Sequence, residues 1–162
     1  MKKSRGLLVS AVALAMLLVV STIAACGSDD EASSSASPGG DVVAVVKSDD
    51  QLSQYAQALE AAGLSGEGPY TVFASSDDAL SATGVTLDAE SVQASVIEGT
   101  QLAEADMAKG TKADSVVEGT TIVTYTGADG SLYVNDFKVV GDPMTADNGV
   151  VYVIDGVIQP KE

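Results

Sequence analysis

The chain has 162 residues, of which 23 are acidic and 8 are basic, so its formal net charge is −15. Nucleic-acid binding depends on Lys and Arg side chains that neutralise phosphates, and this composition therefore excludes nucleic acid as a partner. Apolar residues make up 46% of the chain, which is enough to bury a core. The length fits one domain once a targeting segment is removed.

Residues 1–25 have the layout of a secretory signal peptide: a basic start, an apolar run over residues 7–20, and small residues before Cys26. An uncleaved transmembrane anchor is the alternative, because residues 7–25 are nearly long enough to cross a bilayer. The ending Ile-Ala-Ala-Cys at residues 23–26 favours cleavage. It resembles the bacterial lipobox, in which the Cys thiol is alkylated by a diacylglyceryl group and becomes the first residue of the mature protein.

Cys26 is the single cysteine of the chain, so it has no disulfide partner within it. The lipobox resemblance implies that Cys26 is the lipidation site and that the protein is extracytoplasmic, anchored to the bacterial cell membrane by its lipid. Two acyl chains anchor stably where one is marginal, since each buried methylene contributes about 0.8 kcal/mol. Residues 26–40 are rich in Ser, Gly and Asp, and we predict a flexible linker that holds the domain about 20 Å from the lipid.

The folded domain is predicted to span residues 41–160. A short apolar piece at residues 42–46 leads into a helix that Ser48 or Asp49 can cap and that Gly63 ends. The apolar residues of this helix recur at helical spacing; they are Leu52, Tyr55, Ala56, Leu59 and Ala62.

The next elements change period. Residues 70–74 are typical of a buried strand. Ser75 or Ser76 can cap a short helix after it, and the acids at residues 77–78 suit the first turn of that helix. The stretch LDAESVQASVIEG, residues 87–99, predicts another helix.

After Gly99 the sequence is typical of strands joined by tight turns. The predicted strands lie at residues 122–125, 132–134, 137–140 and 150–154, followed by an apolar piece at 157–158. Helices in the first half and strands in the second indicate an α+β fold instead of a repeating βα pattern.

Three stretches resemble the signatures of fasciclin domains: TVFASSDDAL at residues 71–80, VIEGTQLAEADM at 96–107 and NGVVYVIDGVIQP at 148–160. The similarity covers residues 41–160. It implies a wedge-shaped β-sandwich of about seven strands with helices mainly from the first half of the domain. Together with the lipobox, it identifies the chain as resembling a bacterial lipoprotein with a single fasciclin domain, and it implies a role in adhesion or in contact with the cell surface or matrix.

The sequence departs from the family pattern at several positions. Animal members carry an Asp-Ile pair linked to integrin recognition, and here Pro143 and Met144 occupy those places, with Asp142 one position early. We therefore do not carry integrin binding over. The His of the last signature is Tyr152. Asp142, Met144 and Tyr152 are the candidate interaction residues.

The chain has no His, so it lacks the usual general base and the commonest metal ligand. The adjacent acids at residues 49–50 and 77–78 are expected to serve as helix caps or dipole partners. We predict that the protein is not an enzyme, that it holds no cofactor and that it has no metal site. A calcium site at Asp142, Asp147 and Asn148 is a minor alternative, because turn formation explains these residues sufficiently.

The leading hypothesis is a non-catalytic interaction module whose partner is a cell-surface, matrix or host protein or glycan. The alternative is a carrier or sensor of a small apolar ligand held between the sheet and the helices. Three tyrosines lie in predicted strands, Tyr125, Tyr133 and Tyr152, and strand alternation can expose one of them to a partner, although packing is the default.

Overall fold

The computed structural model describes residues 40–64 and 68–160. The predicted signal peptide, the lipidated Cys26 and almost all of the predicted linker lie outside these residues. Within the two described ranges, no helix is long and apolar enough to span a membrane.

The helices of the described part belong mainly to the first half of the domain. They are α1 (Val42–Lys47), α2 (Ser53–Ala62), α3 (Asp77–Thr83), α4 (Ala89–Ala94) and α5 (Glu104–Met107), with a 3-10 turn (Asp50–Leu52) before α2. The strands are β1 (Tyr70–Ser75), β2 (Val96–Glu98), β3 (Thr111–Asp114), β4 (Thr121–Thr126), β5 (Leu132–Val134), β6 (Phe137–Ala146) and β7 (Gly149–Ile154).

The seven described strands form one hydrogen-bonded series in the order β2-β1-β7-β6-β5-β4-β3. β1 and β7, the second and third strands of this series, pair in parallel, and the other neighbours pair antiparallel. The two ends of the series meet after β3, where the Val116 backbone N–H donates to the Val96 carbonyl of β2 at 2.9 Å. The predicted α+β class, with seven strands and helices mainly from the first half, is confirmed.

The parallel strands β1 and β7 are buried on both faces, and each face packs into a different hydrophobic core. Val72 and Val151 point into a core formed with α1, α2 and α4. Phe73 and Tyr152 point into a second core that includes Ile122 of β4 and side chains from β5. Because side chains alternate along a strand, one pair of strands supplies both cores.

α1 forms over the apolar piece at residues 42–46 although it is rich in β-branched Val, which has a weak helix propensity. The Asp41 carboxylate caps its start by accepting from the Ala44 N–H at 2.8 Å. Val42, Val45 and Val46 lie at i, i+3 and i+4 and are all buried. Tertiary packing of that face outweighs the propensity.

The predicted helix over residues 87–99 is wrong in its second half. α4 begins after Asp88, whose side chain accepts from the Ser91 N–H at 2.8 Å, and ends at Ala94. Val96–Glu98 instead pairs with β1 as strand β2. The Ser95 hydroxyl bonds back to the Val92 carbonyl at 2.7 Å, and strand pairing then satisfies the backbone groups that follow.

Candidate functional site

A β-bulge in β6 places the candidate interaction residues. Val140 pairs with Val153 and Met144 pairs with Val151, so residues 141–143 together oppose the single residue Tyr152 of β7. Gly141 has a positive φ of 74°, a conformation that glycine adopts without steric cost. The extra residues bend the strand, as bulges generally do, and Asp142 is exposed at this point.

Tyr152 is not available to a partner, which corrects its selection as a contact residue. Its side chain is only 2% exposed and stacks against Phe73, with ring centroids 5.9 Å apart. Its hydroxyl donates to the Leu102 carbonyl at 2.9 Å. Burial and the nearby charge of Glu104 raise the pKa of Tyr152 to about 12, so the phenol stays protonated at neutral pH.

The other two candidates differ in exposure. Met144 is half-buried and packs against the core beneath the helices. Asp142 is exposed, and its carboxylate bonds to no residue in the described part of the chain. A shallow cavity of about 290 Å³ opens beside them, and its lining includes Leu102, Glu104, Pro143, Thr145, Val150 and Tyr152. We call the surface formed by Asp142, Pro143, Thr145 and Glu104 the bulge face.

Two residues of the calcium alternative, Asp147 and Asn148, have structural roles. The Asn148 side-chain oxygen accepts from the Val42 N–H at 2.8 Å, and its carbonyl accepts from the Tyr70 N–H at 2.8 Å. The Asp147 N–H donates to the Gly40 carbonyl. Asn148, which directly precedes β7, thereby joins α1 to β1. In residues 40–64 and 68–160, no three Asp, Glu, Cys or His side chains form a group suited to a metal ion.

The adjacent acids contact helix ends, as expected. Asp49 accepts from the Gln51 N–H at the 3-10 turn. Ser76 caps α3, and Asp77 and Asp78 lie in its first turn. Asp77 also accepts from the Gln54 N–H of α2 at 3.0 Å, a tertiary contact that sequence spacing alone does not indicate.

A second surface was not identified from the sequence as a site. Tyr125 and Tyr133 lie directly opposite each other in β4 and β5, and their rings stack with centroids 5.4 Å apart and planes 11° apart. Tyr125 is 39% exposed. The sequence does show two tyrosines at similar distances on either side of the Gly127–Gly130 turn. However, only the strand register shows that they lie opposite each other.

Comparison with known proteins agrees with this architecture. The Fasciclin domain family profile matches residues 50–160. Protein sll1483 from Synechocystis sp. is 31% identical over 139 residues, which cover 74% of this chain and 73% of that protein. A FAS1 domain pair from the insect cell adhesion molecule Fasciclin I matches with a TM-score of 0.62 at 12% identity, over 75% of this chain.

This chain spans about half of the insect domain pair, 51% of its length. At 12% identity, that likeness concerns the fold alone. The family profile covers more than half of the chain, and the cyanobacterial relative exceeds 30% identity over most of both proteins. The chain belongs to the Fasciclin domain family.

Proposed function

We propose that the protein is a lipid-anchored, extracytoplasmic and non-catalytic interaction module that contacts cell-surface, matrix or host components through the bulge face. The observation that carries the proposal is Asp142, an exposed carboxylate on a bulge with no bond to the described residues. Bulges often redirect side chains at functional positions. Fasciclin domains are typically extracellular or secreted, and the solved neighbour comes from a cell adhesion molecule.

The anchor rests on the sequence. A basic start, an apolar run and Ile-Ala-Ala-Cys precede a Ser- and Gly-rich linker, and this order suits lipidation of Cys26. We expect Cys26→Ser to release the protein from the membrane or to block its processing. Fractionation of cells that produce the wild type and the variant measures this, and an unchanged membrane fraction in the variant would contradict the anchor.

The interaction is tested with a photo-crosslinking residue at position 142 in the full-length anchored protein on living cells. The matched control carries the same residue at Gln57, which is exposed on α2. We expect specific neighbours at position 142 that excess unlabelled protein displaces and that are absent at position 57. Equal, non-competable crosslinking at both positions would exclude the bulge face as the contact.

The alternative of an apolar-ligand carrier stays a prediction. α1, the 3-10 turn and α2 pack on the sheet through side chains that are fully buried, such as Val46, Leu52 and Leu59. A ligand held between these layers would have to displace them. Native mass spectrometry of the purified protein tests this alternative, because a retained ligand would appear as added mass.

A further inference from the structure

The stacked tyrosine pair is held in a defined position. Among the described residues, Tyr125 is the large apolar side chain that is exposed, at 39%. Tyr133 lies against the backbone of Gly127, where a Cβ atom would fall 2.5 Å from its Cε2. The Tyr133 hydroxyl donates to Asp129 at 3.3 Å. Tyr125 therefore forms the exposed side of an aromatic stack whose inner ring, Tyr133, is held by Gly127 and Asp129.

A surface cavity of about 710 Å³ is lined in part by Thr121 and Val123, which precede Tyr125 on β4. Val123, which lines the cavity, precedes Tyr125 by two residues on β4, so their side chains share one face of the strand about 7 Å apart. The apolar lining consists of Val123, Phe137, Val157 and Ile158, and the polar lining includes Lys112, Asn135 and Gln159. The volume is in the range of ligand-binding cavities.

The polar side chains of the cavity retain unused hydrogen-bonding groups. The Asn135 side-chain oxygen accepts from the Val123 N–H at 2.9 Å, which leaves its amide N–H groups without an acceptor in the described part of the chain. The side chains of Lys112 and Gln159 likewise bond to no described residue. These groups supply donors and, at Gln159, an acceptor.

We propose that Tyr125, Tyr133 and the adjacent cavity bind a neutral oligosaccharide. The C–H face of a sugar ring is apolar and stacks on an aromatic ring, whereas its hydroxyl groups need both donors and acceptors. The tyrosine stack provides the apolar surface, and the cavity provides the donors and acceptors. Because the two lie one after the other along β4, we expect a ligand that is longer than one sugar ring.

The local charge favours a neutral ligand over a cationic peptide. The protein carries a net charge of −15, but the charged residues that line the cavity or contact the stack are two lysines and two aspartates: Lys112, Lys138, Asp129 and Asp136. Their charges cancel. A cationic partner would be attracted more strongly to the acidic remainder of the surface.

This site goes beyond the proposed function and shares no residue with the bulge face. Its test is calorimetric titration of the full-length protein in detergent micelles with the β-1,4-linked tetramers of glucose and of N-acetylglucosamine. We expect saturable binding of at least one tetramer. Tyr125→Thr, which keeps a strand-compatible residue, should weaken binding about tenfold, and Tyr125→Phe, which keeps the ring, should bind as the wild type does.

Three outcomes would overturn the proposal: no binding of either tetramer to the wild type, equal binding by Tyr125→Thr, or preferential binding of a lysine-rich peptide that Tyr125→Thr abolishes. Thermal melting of each variant verifies its fold. Crosslinking from position 142 should be unchanged in Tyr125→Thr, so failure of the oligosaccharide site and failure of the bulge face are distinguished.

Discussion

Asp77 caps a helix to which it does not belong: its carboxylate accepts from the Gln54 N–H of α2 at 3.0 Å, across 23 residues of sequence. It also accepts from the Ser53 hydroxyl at 2.5 Å. The residue that precedes α2, Leu52, makes no side-chain cap. Asp77 thus satisfies a backbone donor at the start of α2 while lying in the first turn of α3.

Replacing Asp77 should therefore destabilise the domain more than replacing its neighbour. We expect Asp77→Ala to lower the free energy of unfolding by about 1 kcal/mol, the usual cost of losing a cap. Asp78→Ala is the matched control, because Asp78 is an exposed acid in the same helical turn. Urea denaturation measures both variants, and equal losses would show that the cap across the two helices contributes nothing.

A buried hydrogen bond between Tyr55 and Ser95 provides a second test. The two hydroxyl oxygens are 2.7 Å apart, and Ser95 also donates to the Val92 carbonyl, so Tyr55 is the donor between them. Ser95→Ala should cost about 1–3 kcal/mol, because it leaves the Tyr55 hydroxyl buried without an acceptor. Tyr55→Phe should cost about 1 kcal/mol.

The double variant Tyr55→Phe/Ser95→Ala checks the same contact by denaturant unfolding. Removing both hydroxyls leaves no unsatisfied phenol, so its loss of stability should be smaller than the sum of the two single losses. Additive losses would contradict a direct interaction.

Alkaline pH should unfold the domain through its buried tyrosines. Burial raises the pKa of Tyr55 above its ordinary value of 10.0, and it raises that of Tyr152 to about 12. Both tyrosines therefore contribute their full stabilisation below pH 10. This contribution decreases as the pH rises above 10, because the phenols of the unfolded state lose their protons before those of the folded state. Each such group adds a slope of about 1.4 kcal/mol per pH unit.

Denaturation at pH 9, 10 and 11 measures this dependence. Tyr55→Phe should show a shallower loss of stability above pH 10 than the wild type, because it removes one buried phenol. An identical slope in wild type and Tyr55→Phe would rule out the contribution of Tyr55.

Gly156 is required by the close approach of Phe137. A Cβ atom at position 156 would lie 1.8 Å from Phe137 Cδ1, so Gly156→Ala should cost about 1–3 kcal/mol by overpacking. Phe137→Ala removes the clashing ring at its own cost in packing. The double variant Gly156→Ala/Phe137→Ala should therefore lose less thermal stability than the sum of the two single losses. A loss equal to that sum would contradict the steric explanation.

Local sequence signals predicted much of the fold. Gly63 ends α2 in the left-handed conformation, and Ser76 caps α3. The buried run of β1 and the turns around β5 also lie where the sequence predicts them. These features depend on one or two neighbouring residues, so their physical causes are present in the local sequence.

Other elements depended on distant contacts. Residues 96–98 became a strand because β1 supplies pairing partners, although the apolar spacing continues that of a helix. β3 was not predicted, because its short stretch Thr111–Asp114 alternates only between half-buried and exposed side chains. Its partner β4 completes the hydrogen bonds that make it a strand.

The sequence by itself determined the family signatures, the expected anchor at Cys26 and the acidic character of the surface. Only the tertiary structure decided which candidate residues are accessible: it buries Tyr152, exposes Asp142 on a bulge and stacks Tyr125 on Tyr133. The physical reason is strand register. A strand's alternation indicates that two faces exist, but pairing with neighbouring strands and packing against the helices determine which face meets water.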